Sequence, residues 1–201
     1  MSADQGPISV KRKTGIEPFH QSGQTIEATL QDYWTWGSSN LLDNTERGML
    51  AEYIVALDLG VATGARYEWE AYDLATSEGV KVEVKSSAYI QSWHQDRLST
   101  LRFNIAPHEA WDAETNEFDR TVRRRSDVYV FCVLAHKDQR SIDPLNLDQW
   151  AFYVLDTRVL DADATHQKSI GLNGVLKLGA KKVGFGMIQE AVQRAHKSTQ
   201  S

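Results

Sequence analysis

Hydrophobic and polar residues recur with two different periods along this chain, and these periods predict both helices and strands. Apolar residues fall every three or four positions after Asn44, which predicts an amphipathic helix that Asn44 caps and Gly60 ends. Two strand-like stretches follow, at about 66–73 and 80–87, and the Ser, Glu and Gly residues between them suit a turn. The pattern therefore predicts a helix followed by a β-hairpin.

Later segments extend the predicted sheet. The most apolar run, from Val128 to Leu134, is typical of a strand buried on both faces, and 150–155 predicts a further strand. Residues 106–119 indicate an irregular or briefly helical stretch, and 187–196 indicate a C-terminal helix. Together these elements predict an α/β fold with a mixed central sheet flanked by helices.

The domain organisation follows from length and from a change of pattern near residue 30. Residues 1–30 are polar, carry several Gly and Pro residues and lack sustained periodicity, which predicts a loosely ordered N-terminal arm. The remaining stretch, 31–201, is long enough for a single domain with a substantial core, and we place that core at about 46–156.

Composition bears on the expected cellular location and on disulfide and zinc chemistry. No apolar run is long enough to span a membrane, and the N-terminus lacks the features of a signal peptide, so we expect a cytoplasmic protein. The one cysteine, Cys132, has no partner for an internal disulfide and indicates a small core residue. No zinc site is indicated.

Charge argues weakly against a protein that coats nucleic acid, because the formal net charge is −5. Three local basic clusters remain, at Lys11-Arg12-Lys13, at Arg120 with Arg123-Arg124-Arg125, and at Lys181-Lys182. Each indicates a solvated face, with phosphate contact as the alternative.

The candidate chemistry lies in Glu83-Val84-Lys85, ten residues after Asp73. As part of a strand, Glu83 and Lys85 share one face, and a hairpin would bring Asp73 to them. Two carboxylates and a strand carbonyl suit Mg2+, and leave positions open for water and a phosphate oxygen. A lysine two residues from a ligand suits contact with the same water or phosphate.

The order of a helix, a strand, a strand with Glu-x-Lys and a later apolar strand resembles the PD-(D/E)xK nuclease superfamily over residues 46–156. This resemblance implies a restriction endonuclease-like fold. The run from Glu83 to Trp93 looks more specifically like a group of uncharacterised bacterial proteins within that superfamily.

The resemblance also implies site residues and partners. Asp73 and Glu83 would bind Mg2+, with Mn2+ as a substitute, and the carbonyl of Val84 would be a further ligand. Lys85 would orient or activate the attacking water, and Glu52 would be the acid of the upstream helix. The implied activity is that of a metal-dependent endonuclease on nucleic acid, with DNA as the expected substrate. A homodimer would allow both strands of a duplex to be cut.

Alternatives remain open at several positions. Tyr72 stands where the motif has proline, and Glu70 could replace Asp73 as the first acid. Glu83 and Lys85 could form an ordinary exposed ion pair, and Asp73 could simply begin a turn. Glu52 could be a boundary residue that faces water. For the protein as a whole, one alternative is a nucleic-acid-binding or regulatory module that has the nuclease fold without catalysis. The other is a protein-interaction domain.

Overall fold

The computed structural model describes residue 8 and residues 10–66, 71–112 and 117–197. The chain forms two compact units. The small unit comprises Met1–Ser39 with Thr63–Tyr67, and the large unit comprises Asn40–Ala62 with Glu68–Ser201.

The small unit contains a β-hairpin and one helix. Strands β1 (Pro18–Gln21) and β2 (Gln24–Thr29) pair antiparallel, and helix α1 (Leu30–Gly37) follows directly. Ser22 and Gly23 both have positive φ, as a two-residue hairpin turn requires. The hairpin differs from the loosely ordered arm predicted for residues 1–30. Neither strand buries a residue, so no apolar alternation marked them in the sequence.

Among the described residues, the large unit contains the remaining helices and strands and a short 3-10 helix at Leu147–Gln149. In chain order the helices and strands are α2 (Asn44–Asp58), β3 (Leu74–Ala75), β4 (Lys81–Ala88), β5 (Arg102–Asn104), β6 (His108–Asp112), β7 (Glu117–Arg123), β8 (Val128–Leu134), β9 (Trp150–Asp156), α3 (Thr157–Asp163), β10 (Ser169–Gly171), α4 (Leu172–Lys177), β11 (Lys181–Val183) and α5 (Ile188–Lys197).

A mixed five-stranded sheet forms the centre of the large unit, in the order β11-β9-β8-β4-β3. Strands β4 and β8 are parallel and the other neighbours are antiparallel. Side chains of α2 and α5 pack on one face of the sheet, and β5, β10, α3 and α4 contribute to the core on the other. The predicted α/β architecture with a mixed central sheet and helices is therefore confirmed.

The predicted strands at 128–134 and 150–155 are confirmed, and every residue of β8 and β9 is buried. The C-terminal helix is confirmed as α5. Cys132 lies in this core as a free, fully buried thiol. Among the helices of the described ranges, none combines the length and apolarity needed to span a bilayer.

Three local predictions were wrong. Asp43 rather than Asn44 caps α2, because the Asp43 carboxylate accepts a hydrogen bond from the backbone N–H of Thr45 at 2.9 Å. The first hairpin strand is only Leu74–Ala75, after bends at 71–73, and 67–70 of the predicted strand lie outside the described residues. The irregular or helical stretch predicted at 106–119 instead contains β6 and part of the antiparallel ribbon with β7.

Candidate active site at the edge of the central sheet

Glu83 and Lys85 lie side by side on β4, as the period of a strand requires. The Lys85 Nζ donates to Glu83 Oε1 at 2.5 Å. Only 9% of the Glu83 side chain and 29% of the Lys85 side chain is exposed. The pair is therefore not the freely solvated ion pair that formed the alternative interpretation, and its charges interact with weak solvent screening.

Asp73 is held against the edge of β4 by two backbone contacts. Its Oδ2 accepts from the N–H of Val84 at 2.7 Å, and its own N–H donates to the carbonyl of Val82 at 3.2 Å. Since the N–H and C=O of one strand residue point to the same edge, the carbonyl of Val84 also faces this side. The hairpin thus brings Asp73 beside Glu83-Val84, and the Asp73 carboxylate bonds to β4 rather than to the turn before Gly79.

The charges of these groups act on one another. Burial raises the pKa of Asp73 to about 6, and the negative charge of Glu83 adds to this effect. The N–H of Val84 and the ammonium of Lys85 oppose it. Burial lowers the pKa of Lys85, but the carboxylates of Glu83, Asp73 and Glu52 outweigh burial and raise it overall.

Glu52 reaches this cluster from α2. Its carboxylate is close enough to contribute to the raised pKa of Asp73 and of Lys85. The structure therefore brings all four residues that the sequence singled out into one electrostatic cluster of three carboxylates and one lysine. Glu70, the alternative first acid, lies outside the described residues.

Ser126 belongs to the same cluster, and no pattern in the sequence indicates it. This residue precedes β8 and is 5% exposed, and its Oγ donates to Glu83 Oε2 at 2.9 Å. Both carboxylate oxygens of Glu83 thus accept a hydrogen bond from a side chain. Ser126 could be assigned to the cluster only from the pairing of β4 with β8, and a single sequence does not show that pairing.

Arg47 was also missed, and it fixes α2 to the end of β4. It is 3% exposed and donates to the Ser86 hydroxyl at 3.3 Å and to the Gln91 carboxamide oxygen at 3.1 Å. Burial lowers the pKa of its guanidinium, with a partial offset from the charge of Asp43. These bonds set the helix that carries Glu52 against the strand that carries Lys85.

The donors available to a cation are oxygens. Within the part of the chain that the structure describes, no group of three or more His, Cys, Asp or Glu side chains is arranged to hold a metal ion. A cation here would meet the carboxylates of Asp73 and Glu83 together with the carbonyl of Val84. This set is typical of a hard divalent ion that keeps several of its waters.

One comparison with known proteins matches this chain to a nuclease family. Residues 17–174 match the family model of bacteriophage T4 endonuclease IV, and this range includes every residue of the cluster. Comparison with curated proteins and with solved structures gives no match. Because the family match covers more than half of the 201 residues, the chain belongs to the bacteriophage T4 endonuclease IV family.

Proposed function

We propose that this protein is a Mg2+-dependent endonuclease of the PD-(D/E)xK superfamily, with a restriction endonuclease-like fold and DNA as its substrate. The observation that carries the proposal is the cluster in which Asp73 lies beside Glu83 and Lys85, the two charged residues of the Glu-x-Lys motif on β4. Membership of an endonuclease family supports it independently.

The cluster fits Mg2+ in its chemistry. Three carboxylates share one ammonium group, and the raised pKa of Asp73 reflects burial and the negative charge beside it. A divalent cation would relieve that repulsion, and hard oxygen ligands suit Mg2+ or Mn2+. A carboxylate oxygen that accepts one hydrogen bond retains a lone pair, so the bonds of Glu83 to Lys85 and Ser126 leave it able to coordinate. When bound, the metal ion would lower the pKa of a water and withdraw charge from a phosphate oxygen.

Each side chain of the cluster would have a separate role. Asp73 and Glu83 would hold the cation, with the carbonyl of Val84 as a further ligand. Lys85 would supply a positive charge that orients the attacking water and stabilises the charge that develops on the phosphoryl group. Glu52 would add negative charge from the helix side, and Ser126 would keep the Glu83 carboxylate in one orientation.

A panel of nucleic acids tests the proposal directly. The protein is incubated with single-stranded, duplex and branched DNA and with RNA, in Mg2+, in Mn2+ and in EDTA, and the products are resolved on denaturing gels. We expect metal-dependent cleavage of DNA that falls by at least about a hundredfold in Lys85→Met, which loses the charge that stabilises the transition state, and in Glu83→Gln, which loses the charge of a metal ligand. Full cleavage by both variants would refute the assignment.

Two control variants make this test specific. Lys181→Met and Glu190→Gln change exposed residues of β11 and α5, and both should cleave like the wild type. Binding of DNA that persists in EDTA without any product in either metal would instead favour the non-catalytic module.

Ser126→Ala separates a positioning role from a structural one. We expect this variant to need about tenfold more Mg2+ for half-maximal cleavage, at the lower end of the effect of removing a group that orients a metal ligand. Its rate at saturating Mg2+ should stay within about threefold of the wild type, because Ser126 would not touch the substrate. Ser126→Thr keeps the hydroxyl and should restore the wild-type Mg2+ requirement. An unchanged Mg2+ requirement in Ser126→Ala would exclude the positioning role.

A further inference from the structure

The small unit presents large apolar side chains to solvent. No residue of β1 or α1 is buried, and Trp34 and Trp36 are 41% and 85% exposed. Aromatic rings of this size normally pack in a core or contact a partner. These rings therefore do not serve to build a core within the small unit.

One of them, Trp34, is fixed beside a basic segment by a tightly bonded loop. The Glu17 carboxylate accepts from the N–H of Thr14 at 3.0 Å and from that of Gly15 at 2.9 Å. The carbonyl of Gly15 in turn accepts from the N–H of Gln31 on α1 at 2.8 Å.

Gly15 itself is needed for this arrangement. Its φ of +96° lies in the left-handed region, and a Cβ there would come within 3.1 Å of the Trp34 ring. The ring therefore lies against the backbone of the loop. Lys11-Arg12-Lys13, which precedes the loop, is set on the same side as Trp34.

These residues line one groove, which we call the basic groove. It has a volume of about 750 Å³, and its walls comprise Val10, Lys11, Arg12, Lys13, Thr14, Trp34 and Ala65. None of the described residues in these walls is acidic. Glu17, the next acid along the chain, is engaged by the backbone of the loop.

We propose that the basic groove binds nucleic acid, with phosphates against Lys11, Arg12 and Lys13 and a base or sugar face against Trp34. The choice of nucleic acid as the ligand rests on the proposed function. Within the groove the argument is chemical, since a strand of nucleic acid alternates phosphate charges with flat apolar faces. Cations and an exposed aromatic ring in one groove match both features, because the cations pair with phosphates and a base stacks on the ring.

The test measures binding apart from cleavage. The parent is full-length Glu83→Gln in EDTA, and the probe is a fluorescein-labelled DNA oligonucleotide, single-stranded or duplex, followed by anisotropy over a range of salt concentrations. We expect Lys11→Ala/Lys13→Ala to weaken binding about tenfold, and to reduce the slope of log K against log salt by about 1.5, as loss of two phosphate contacts requires. Equal affinity and equal slope in parent and variant would overturn the proposal.

Further variants separate the ring from the fold. Trp34→Leu should weaken binding of the single strand about five- to tenfold, and Trp34→Phe, which keeps a ring, should retain most of the affinity. If Trp34→Leu bound both probes with full affinity, the proposed contact between Trp34 and a base would be refuted. Lys168→Ala/Lys177→Ala, in exposed positions of the large unit, is the matched control for lost charge.

The two proposals fail in different ways. If wild-type protein cleaves nothing but the lysine variant still loses binding, the active-site assignment fails and the basic groove stands. If DNA is cleaved and the lysine variant binds like its parent, the basic groove fails alone.

Discussion

Asp73 gives the folded protein a pH dependence with a definite sign. Its pKa is raised from 3.8 to about 6 in the fold, by burial first and then by the charge of Glu83. The folded state therefore binds a proton more tightly than the unfolded chain does. The free energy of unfolding should fall as the pH rises from about 4 to about 6, because ionisation then costs more in the folded state.

Asp73→Asn tests this consequence, because the amide keeps an acceptor for the N–H of Val84 and removes the charge. We expect it to be more stable than the wild type by about 1–2 kcal/mol at pH 7.5 in EDTA, and nearly equal at about pH 3.5, where Asp73 is mostly protonated in both states. Urea unfolding followed by circular dichroism measures both values. Asp96→Asn, in an exposed loop position, is the control. A variant less stable than the wild type at pH 7.5 would contradict the assigned charge repulsion.

The same residues show what a sequence can and cannot predict about a site. Period two places Glu83 and Lys85 on one face, and hairpin spacing brings Asp73 to them, so these contacts follow from local rules. Ser126 reaches Glu83 across a parallel strand pair 43 residues along the chain. Arg47 meets Ser86 and Gln91 only once the helix has packed on the strand. No local pattern specifies such contacts.

At the scale of elements, Arg124, the residue directly after β7 in the arginine cluster, stabilises the fold. The Arg124 side chain is 1% exposed, pairs with Asp161 at 2.6 Å, and donates to the carbonyl of Ile105 at 2.9 Å. It also donates to the carbonyls of Leu160 and Ala164 at the end of α3, where a cation complements the helix dipole. Arg124 thus joins α3 to the segment after β5, and it is not a phosphate contact.

Arg124→Met should therefore lower the free energy of unfolding by about 2–4 kcal/mol, because several buried carbonyls lose their donor. The matched control is Arg123→Met, the neighbouring residue, whose side chain is 61% exposed and meets Asp119 at 3.6 Å. That change should cost less than about 0.5 kcal/mol. Urea unfolding compares the two variants, and equal stability would show that the buried network contributes little.

Elements differ in how well the sequence predicts them. Strand β8 and residues 150–155 of β9 are buried on both faces and consist of apolar and aromatic residues, so these runs mark both strands in the sequence. The β6–β7 ribbon exposes Phe118 and Val122, and the β1–β2 hairpin buries nothing, so neither leaves an alternation to detect. The sequence thus predicts the fully buried strands β8 and β9 and misses the β6–β7 ribbon and the β1–β2 hairpin, which expose most of their described side chains.

At the scale of the whole molecule, the sequence predicts one α/β core and does not predict the small unit. The core strands can be recognised in the sequence because burial of apolar side chains stabilises them. Runs of apolar residues therefore mark their positions. The small unit depends on backbone and capping bonds, such as those of Gly15 and of the Thr29–Asp32 capping box. Bonds of this kind involve common polar residues, which occur equally in disordered segments.

Metal binding should couple the candidate site to the stability of the large unit. A ligand that binds only the folded state raises the protein's free energy of unfolding by about 1.4 kcal/mol when the ligand concentration is ten times its dissociation constant. For a chain of this size, that change raises the Tm by about 3 °C. We therefore expect Mg2+ at about ten times its dissociation constant to raise the Tm of the wild type by about this amount, relative to NaCl at equal ionic strength. Asp73→Asn/Glu83→Gln should show no such rise, because the repulsion that a cation relieves is absent. Differential scanning calorimetry measures both proteins, and an equal rise in the two would mean that Mg2+ acts elsewhere on the molecule.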